Sequence, residues 1–109
     1  MPLNLTPKYM FVHQVYFWLK NADNAEDHAL LLKGIQSLNG IEPKVYFHVG
    51  APATTNRPVI DTSYSFSELI IFNNLEEHDN YQTHPLHLKF IEDCKDLWSK
   101  VIIYDAVDA

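Results

Sequence analysis

The sequence is poor in cysteine, glycine and basic residues. It holds one cysteine, Cys94, and three glycines among 109 residues. A single cysteine excludes an intramolecular disulfide framework and a cysteine-rich zinc site, so the sequence demands no oxidising compartment. Eight basic side chains against 14 acidic ones give a formal net charge of −6, without any basic cluster. This balance argues against nucleic acid or an anionic membrane as a partner.

Long apolar segments are also missing. The apolar runs fall well short of the ~20 residues that a membrane-spanning helix needs. The first ten residues, MPLNLTPKYM, lack the basic segment and hydrophobic core of a secretory signal. We therefore expect a cytoplasmic protein with no membrane partner. The length and the 47% hydrophobic content fit one domain, 1–109, with its core at 9–108 and an N-terminal extension at 1–8.

The order of local patterns predicts the fold. Helical patterns begin at Asp23, with Glu26 at the capping-box spacing, at Asn74, and at Pro85. The helix from Pro85 is expected to run to residue 100. Four segments rich in β-branched and aromatic residues predict strands at 9–20, 44–50, 63–72 and 101–107. The order β-α-β-β-α-β is the signature of a ferredoxin-like α+β fold with an antiparallel sheet.

The first predicted strand is apolar on both faces. One face carries Phe11, His13 and Val15, and the other carries Tyr16 and Trp18. One layer of helices covers only one face of a sheet, so the second apolar face predicts an interface. We expect a homodimer that packs sheet against sheet.

The segment YQTHPLH, residues 81–87, concentrates more titratable chemistry than any other stretch. At about 100° per residue, His87 shares a helical stripe with the side chains of Ile91, Cys94 and Trp98. His87 should therefore point inward, in the first turn of its helix. Burial and the helix dipole both disfavour a positive charge there and lower the histidine pKa below ~6.5. A neutral imidazole can accept a proton at pH 7.

Tyr81 and His13 complete the predicted catalytic set with His87. The break at Pro85 can bring the Tyr81 phenol over the same pocket, and His13 is the sole polar member of its strand face. Such groups suit proton abstraction next to a carbonyl, with the phenol donating to the enolate oxygen that develops. The predicted pocket residues are Phe11, Phe66, His84 and Trp98. No cofactor is predicted. No metal ligands are predicted either, because no two histidines have the i, i+4 helical spacing and no carboxylate motif accompanies them.

A structural role for the histidines is the alternative. An inward histidine in a first helical turn often bonds a backbone carbonyl and has no catalytic role. His84 is expected to cap the helix that starts at Pro85. His28 and His78 are expected on solvated helix surfaces, and His48 in the core or at an interface.

Four segments in order, HQVYFWLK, HVG, YQTHPLHLKF and YDAV, carry a resemblance to a known family. Over residues 9–108 the chain resembles the stress-responsive A/B barrel (Dabb) domain family. The resemblance implies a ferredoxin-like unit whose two copies form a dimeric α/β barrel. Known members include plant stress proteins of no established chemistry and a polyketide cyclase that needs no cofactor.

The resemblance also implies site residues. The catalytic tyrosine and histidine of that cyclase match Tyr81 and His87, and its strand histidine matches His13. Phe66 stands where the cyclase has a pocket histidine. Two functions are implied: a protein that binds a small apolar or aromatic carbonyl ligand with cofactor-independent acid/base chemistry, or a non-catalytic stress or binding protein.

Overall fold

The computed structural model describes residues 10–109. The predicted strand start at Tyr9 and the predicted extension at 1–8 lie outside the described residues. The strands are β1 (Phe11–Leu19), β2 (Tyr46–Gly50), β3 (Phe66–Phe72) and β4 (Trp98–Val107). The helices are α1 (Ala25–Ser37), α2 (Leu75–Thr83) and α3 (Pro85–Cys94).

Side chains of asparagine start the first two helices. Asn24 accepts a hydrogen bond from the Asp27 backbone N–H at 2.9 Å, so the predicted start at Asp23 is one residue too early. Asn74 accepts from the Glu77 backbone N–H at 2.9 Å, as predicted. Each cap satisfies one of the free N–H groups of a helix start.

Helix α3 begins as predicted and ends early. Nδ1 of His84 accepts from the Leu86 backbone N–H at 3.0 Å, and Pro85 occupies the first helical position. The helix stops at Cys94, so its predicted extension to residue 100 is wrong. Trp98 already pairs with β1, because ladder hydrogen bonds to that strand replace helical ones from this residue onward.

The four strands form one antiparallel sheet in the order β2-β3-β1-β4. This topology confirms the predicted ferredoxin-like α+β fold. In the register, His13 of β1 lies opposite Ile70 of β3 on one side and Asp105 of β4 on the other. Side chains of directly opposite residues point to the same face of a sheet. The pairing therefore puts Asp105 beside His13.

One face of the sheet, here called the covered face, packs against the helices. Its buried side chains include Phe11, Val15, Phe17, Phe66, Ile70 and Phe72. Helices α1 and α3 meet closely above it. A Cβ atom added at Gly34 would lie 2.5 Å from Sγ of Cys94, so only glycine allows this approach.

The opposite face, here called the open face, has no helix over it. It carries Val12, Tyr16, Trp18, Leu69, Ile71, Ile102 and Tyr104. Tyr104 is 61% exposed, and Nζ of Lys100 lies 4.5 Å from the centre of the Trp18 ring. His48 also projects from this face. Across residues 10–109, no helix has the length and apolar character needed to cross a membrane.

Candidate functional site

A cavity of about 160 Å³ lies between the covered face and helices α2 and α3. His13, Tyr81, His87 and Trp98 all line it. The remaining wall is mostly apolar and includes Val15, Phe17, Phe90, Ile91, Val101 and Ile103. Three elements thus bring the three predicted catalytic side chains to one partly open space.

The other predicted pocket residues lie away from the cavity. The Phe11 ring packs against His78, with ring centres 4.4 Å apart. The Phe66 ring packs against His28 at 4.6 Å. His84 caps α3 through its ring nitrogen. Phe11 and Phe66 share the covered face with the cavity residues, but neither lines the cavity.

His87 offers a free nitrogen in this cavity. Its Nδ1 is buried and has no hydrogen-bond partner within residues 10–109. The ring centre lies 4.8 Å from that of Tyr81. Burial lowers the His87 pKa and the nearby His13 lowers it further, while a contact with the Gln82 backbone raises it in part. The ring is therefore neutral near pH 7, and its unpartnered nitrogen can accept a proton.

Tyr81 is bound to a buried carboxyl group that the sequence analysis missed. Its hydroxyl donates to Oε2 of Glu68 at 2.7 Å, and the two residues are only 1% and 3% exposed. Burial raises the Glu68 pKa to about 7, against a smaller lowering by the Tyr81 hydrogen bond. Burial and the Glu68 charge both raise the Tyr81 pKa. The sequence does contain a signal for this group: Glu68 occupies a position of the strand segment FSELIIF whose side chain points to the covered face.

His13 faces a second carboxylate on the edge strand. Nδ1 of His13 lies 2.5 Å from Oδ1 of Asp105, and His13 is 2% exposed. Burial lowers the His13 pKa, and Asp105 raises it in part. The contact of His13 with Asp105 is not predictable from the sequence, because sequence spacing does not reveal the register between β1 and β4.

His78 is not the solvated surface residue that the sequence suggested. Its side chain is 13% exposed, and its ring centre lies 5.2 Å from that of His13. Helix α2 turns this side chain toward β1, where it packs on Phe11. A nucleophilic role for Cys94 has no support, since the residue is buried and burial raises its thiol pKa.

Comparison with protein families identifies the fold's relatives. The family model described as the Stress responsive A/B Barrel Domain (Dabb) matches residues 11–108. The chain belongs to the Dabb family. This confirms the resemblance, and the Dabb match spans every strand and helix of the sheet and its covering layer. No protein of curated function matches the sequence significantly.

Solved structures resemble the Dabb chain over nearly its whole length. A Dabb family protein from Mesorhizobium loti is 25% identical, with a TM-score of 0.76, covering 94% of this chain and 99% of that one. A dimeric ferredoxin-like protein of unknown function from Thermobifida fusca is 14% identical, with a TM-score of 0.75 and coverages of 96% and 97%. A hydroxynitrile lyase from Passiflora edulis is 15% identical, with a TM-score of 0.75 and coverages of 94% and 96%.

Proposed function

We propose that the cavity binds a small apolar carbonyl compound and that His87 and Tyr81 catalyse proton transfer at the carbon next to the carbonyl. One observation carries this proposal. The buried Nδ1 of His87 has no partner within the described chain, and its ring lies beside Tyr81 in an apolar cavity. A buried polar atom without a partner is costly to the fold, so a ligand or a reacting proton is its natural complement.

His87 is the base in this proposal. It takes a proton from the carbon next to the carbonyl, and the electron pair moves onto the carbonyl oxygen as an enolate. The proton then returns to the same carbon or is exchanged with solvent. The lowered pKa keeps the imidazole unprotonated near pH 7, as a general base requires.

Tyr81 is the proposed donor to the enolate oxygen, and Glu68 controls that donor. When Glu68 is ionised, its carboxylate accepts the hydrogen bond of the Tyr81 hydroxyl, so that this hydrogen is not free to bond a ligand. When Glu68 is protonated, its own O–H can donate to the Tyr81 oxygen, which turns the phenol hydrogen toward the ligand. Because the Glu68 pKa lies at about 7, both states exist near neutral pH. His13, on the same wall, helps to orient the ligand.

The size of the cavity limits the ligand. A cavity of about 150 Å³ holds a molecule such as benzene, and this cavity measures about 160 Å³. A cyclic ketone of six carbons fits this volume. A long-chain or polyketide-like compound exceeds this volume and would extend out of the cavity in the single chain.

A non-catalytic binding protein is the second candidate. It is favoured by the Tyr81 hydroxyl, which is already satisfied by Glu68, and by the contact of His87 with the Gln82 backbone. Both features are typical of a structural network. The hydroxynitrile lyase among the structural neighbours supports the first candidate only to the extent that an enzyme occurs on this fold.

We also propose that two copies of the chain associate through the open face. The exposed aromatic side chains Tyr46 and Tyr104, with the half-buried Ile102 beside them, have no partner layer in the single chain. An exposed apolar patch of this kind typically marks an interface. A second copy is the favoured occupant, because the similar Thermobifida fusca protein is dimeric.

Deuterium exchange of small ketones tests the catalytic proposal. We expect cyclohexanone in D₂O to exchange its α-protons faster with the protein than without it, as followed by proton NMR. His87→Ala should slow the catalysed exchange by roughly 100- to 10,000-fold. His28→Ala is the control, since His28 is exposed on α1 and lies outside the cavity; it should retain the exchange.

The pH dependence of the exchange tests the roles of Tyr81 and Glu68. The catalysed rate should fall as the pH rises through about 7, because Glu68 then loses the proton that frees the phenol. Glu68→Gln should remove this decline, since the amide donates to the Tyr81 oxygen at any pH. Saturable binding of cyclohexanone without any catalysed exchange would instead establish the non-catalytic candidate.

A further inference from the structure

Three metal-ligating side chains converge at the edge of the cavity, from three separate elements. His13 comes from β1, His78 from α2 and Asp105 from β4. One ligand atom from each lies within 4.8 Å of the other two. We propose that these three residues form a binding site for a divalent transition-metal ion such as Zn²⁺. The proposal goes beyond the acid/base function, because the ion can bind whether or not the cavity is catalytic.

The ligand set suits such an ion. Two imidazoles and one carboxylate are the protein ligands of many zinc sites that keep a fourth position open for water or substrate. The same set also holds ferrous iron in mononuclear sites. Soft thiolate ligands are absent from the cluster, and the oxygen-only sets that magnesium and calcium prefer are absent too. The chemistry therefore favours a first-row transition metal.

The hydrogen bonds of His78 leave one of its nitrogens ready for a cation. Nδ1 of His78 lies 3.1 Å from Oδ1 of Asp79, and a carboxylate can only accept, so the proton resides on Nδ1. Nε2 then carries a lone pair and faces Oδ2 of Asp105 at 3.9 Å. Two acceptors facing each other repel unless a proton or a metal ion lies between them. The side-chain amide of Gln82 donates to Nε2 of His78 at 3.3 Å, which offsets only part of this repulsion.

Asp79 is positioned to orient the proposed metal ligand His78, because it accepts a hydrogen bond from the His78 nitrogen that would not bind the ion. A histidine that ligates a metal usually donates its other ring N–H to a carboxylate or a carbonyl, which fixes the ring and raises the basicity of the ligating nitrogen. His78 makes this arrangement already, with Asp79 at one nitrogen and Asp105 beyond the other.

His13 and Asp105 hold a proton where the ion would sit. Oδ1 of Asp105 accepts from Nδ1 of His13 at 2.5 Å. On binding, the ion replaces the Nδ1 proton, which is released to solvent. Ligand atoms at ~2.0–2.1 Å from a tetrahedral zinc lie about 3.3 Å apart. The Asp105 carboxylate, 37% exposed on the edge strand, can rotate by the small amount that this spacing requires.

The site adjoins the cavity through one shared residue. His13 both lines the cavity and contacts Asp105. An ion on this ring would therefore bring positive charge to the cavity wall. Because 37% of the Asp105 side chain is exposed, an ion from solvent can reach this ligand.

Direct metal binding tests the proposal independently of any activity. We would titrate the full chain with Zn²⁺ by calorimetry and record the visible absorption of Co²⁺ as a second probe. We expect one ion per chain, a visible cobalt spectrum and a higher melting temperature with zinc. His78→Ala should weaken binding at least ~10-fold, which is the lower limit for losing even an outer partner of a metal site.

Two further variants separate ligand loss from structural damage. Asp105→Asn keeps an oxygen that accepts the hydrogen bond of His13 but removes the charge, and it should also weaken binding at least ~10-fold. His28→Ala, which removes an exposed histidine of α1, should bind like the unaltered protein. The proposal is wrong if Zn²⁺ at about 1 mM gives no binding heat and Co²⁺ at the same concentration gives no visible spectrum. It is equally wrong if folded His78→Ala and Asp105→Asn proteins bind as tightly as the unaltered chain.

Discussion

The two faces of the sheet differ in what they carry, although the same strands build both. The covered face includes two buried ionisable residues, His13 and Glu68, next to a cavity. The open face carries exposed aromatic side chains such as Tyr46 and Tyr104, and half-buried aliphatic ones such as Ile102. In β1 the two sets alternate residue by residue. A single strand thus contributes chemistry in one direction and an association surface in the other.

This alternation couples the proposed site to the proposed interface. A shift of one residue in the register of a strand exchanges its two faces. Such a shift in β1 would turn His13 toward the open face and Gln14 toward the cavity. The pairing of His13 with Asp105 therefore depends on the same register that presents Tyr16 on the open face. A substitution on one face that keeps this register should therefore leave the function of the other face intact.

The largest effect is expected from a charge placed on the open face. Ile102→Asp should convert the proposed dimer into a monomer, because an unpaired carboxylate in an apolar interface costs about 3–5 kcal/mol, or roughly 100- to 4,000-fold in the dissociation constant. Sedimentation velocity at micromolar concentration measures the change. Leu88→Asp alters an equally apolar exposed residue on α3 and should leave the dimer unchanged. A monomeric unaltered protein would refute the association proposal.

A second effect, on the covered face, concerns the pH dependence of stability. The Glu68 pKa is raised from 4.5 to about 7 in the folded state. The folded chain thus holds this proton more tightly than the unfolded chain does. The stabilisation is complete below pH 4.5 and is lost as the pH rises through about 7.

Glu68→Gln isolates that contribution. Relative to the unaltered protein, the variant should gain about 3 kcal/mol in free energy of unfolding between pH 4 and pH 8. Urea denaturation at both pH values measures this difference, and taking the difference between the two proteins cancels the opposite dependence of the buried histidines. Glu92→Gln, at an exposed position on α3, should show no such gain. A pH-independent difference would mean that the folded and unfolded chains hold the Glu68 proton equally tightly, so that the fold does not raise the Glu68 pKa.

The smallest effect is expected where helices α1 and α3 pack tightly against each other, in contrast to the cavity beside α3. Gly34→Ala brings a methyl group into contact with Cys94. Overpacking costs about 1–3 kcal/mol, and alanine recovers about 1 kcal/mol of helix propensity. We expect a net loss of about 1 kcal/mol in free energy of unfolding, measured by thermal or urea denaturation. A stabilised variant would show that α1 and α3 are not in close contact there.

The sequence predicted the element order because the strands alternate regularly and the helices have explicit caps, as at Asn74. It predicted His87 and Tyr81 at one cavity because both belong to one short segment around Pro85. It missed Glu68 and Asp105, since their partners come from other elements and only the strand register brings them together. Trp98 was assigned to the helix because the stripe through His87 continues to it, although pairing with β1 ends the helix earlier.

The most direct test of the central claim is the response of the His87 ring to a small ketone. Ring nitrogen signals of His87 and His84 would be assigned by substitution and followed by NMR while cyclohexanone is added. Our account predicts that the His87 signals shift until the site is saturated, while those of His84, outside the cavity, stay in place. Unchanged His87 signals with every small carbonyl compound, or equal shifts at both histidines, would contradict a ligand site at this cavity.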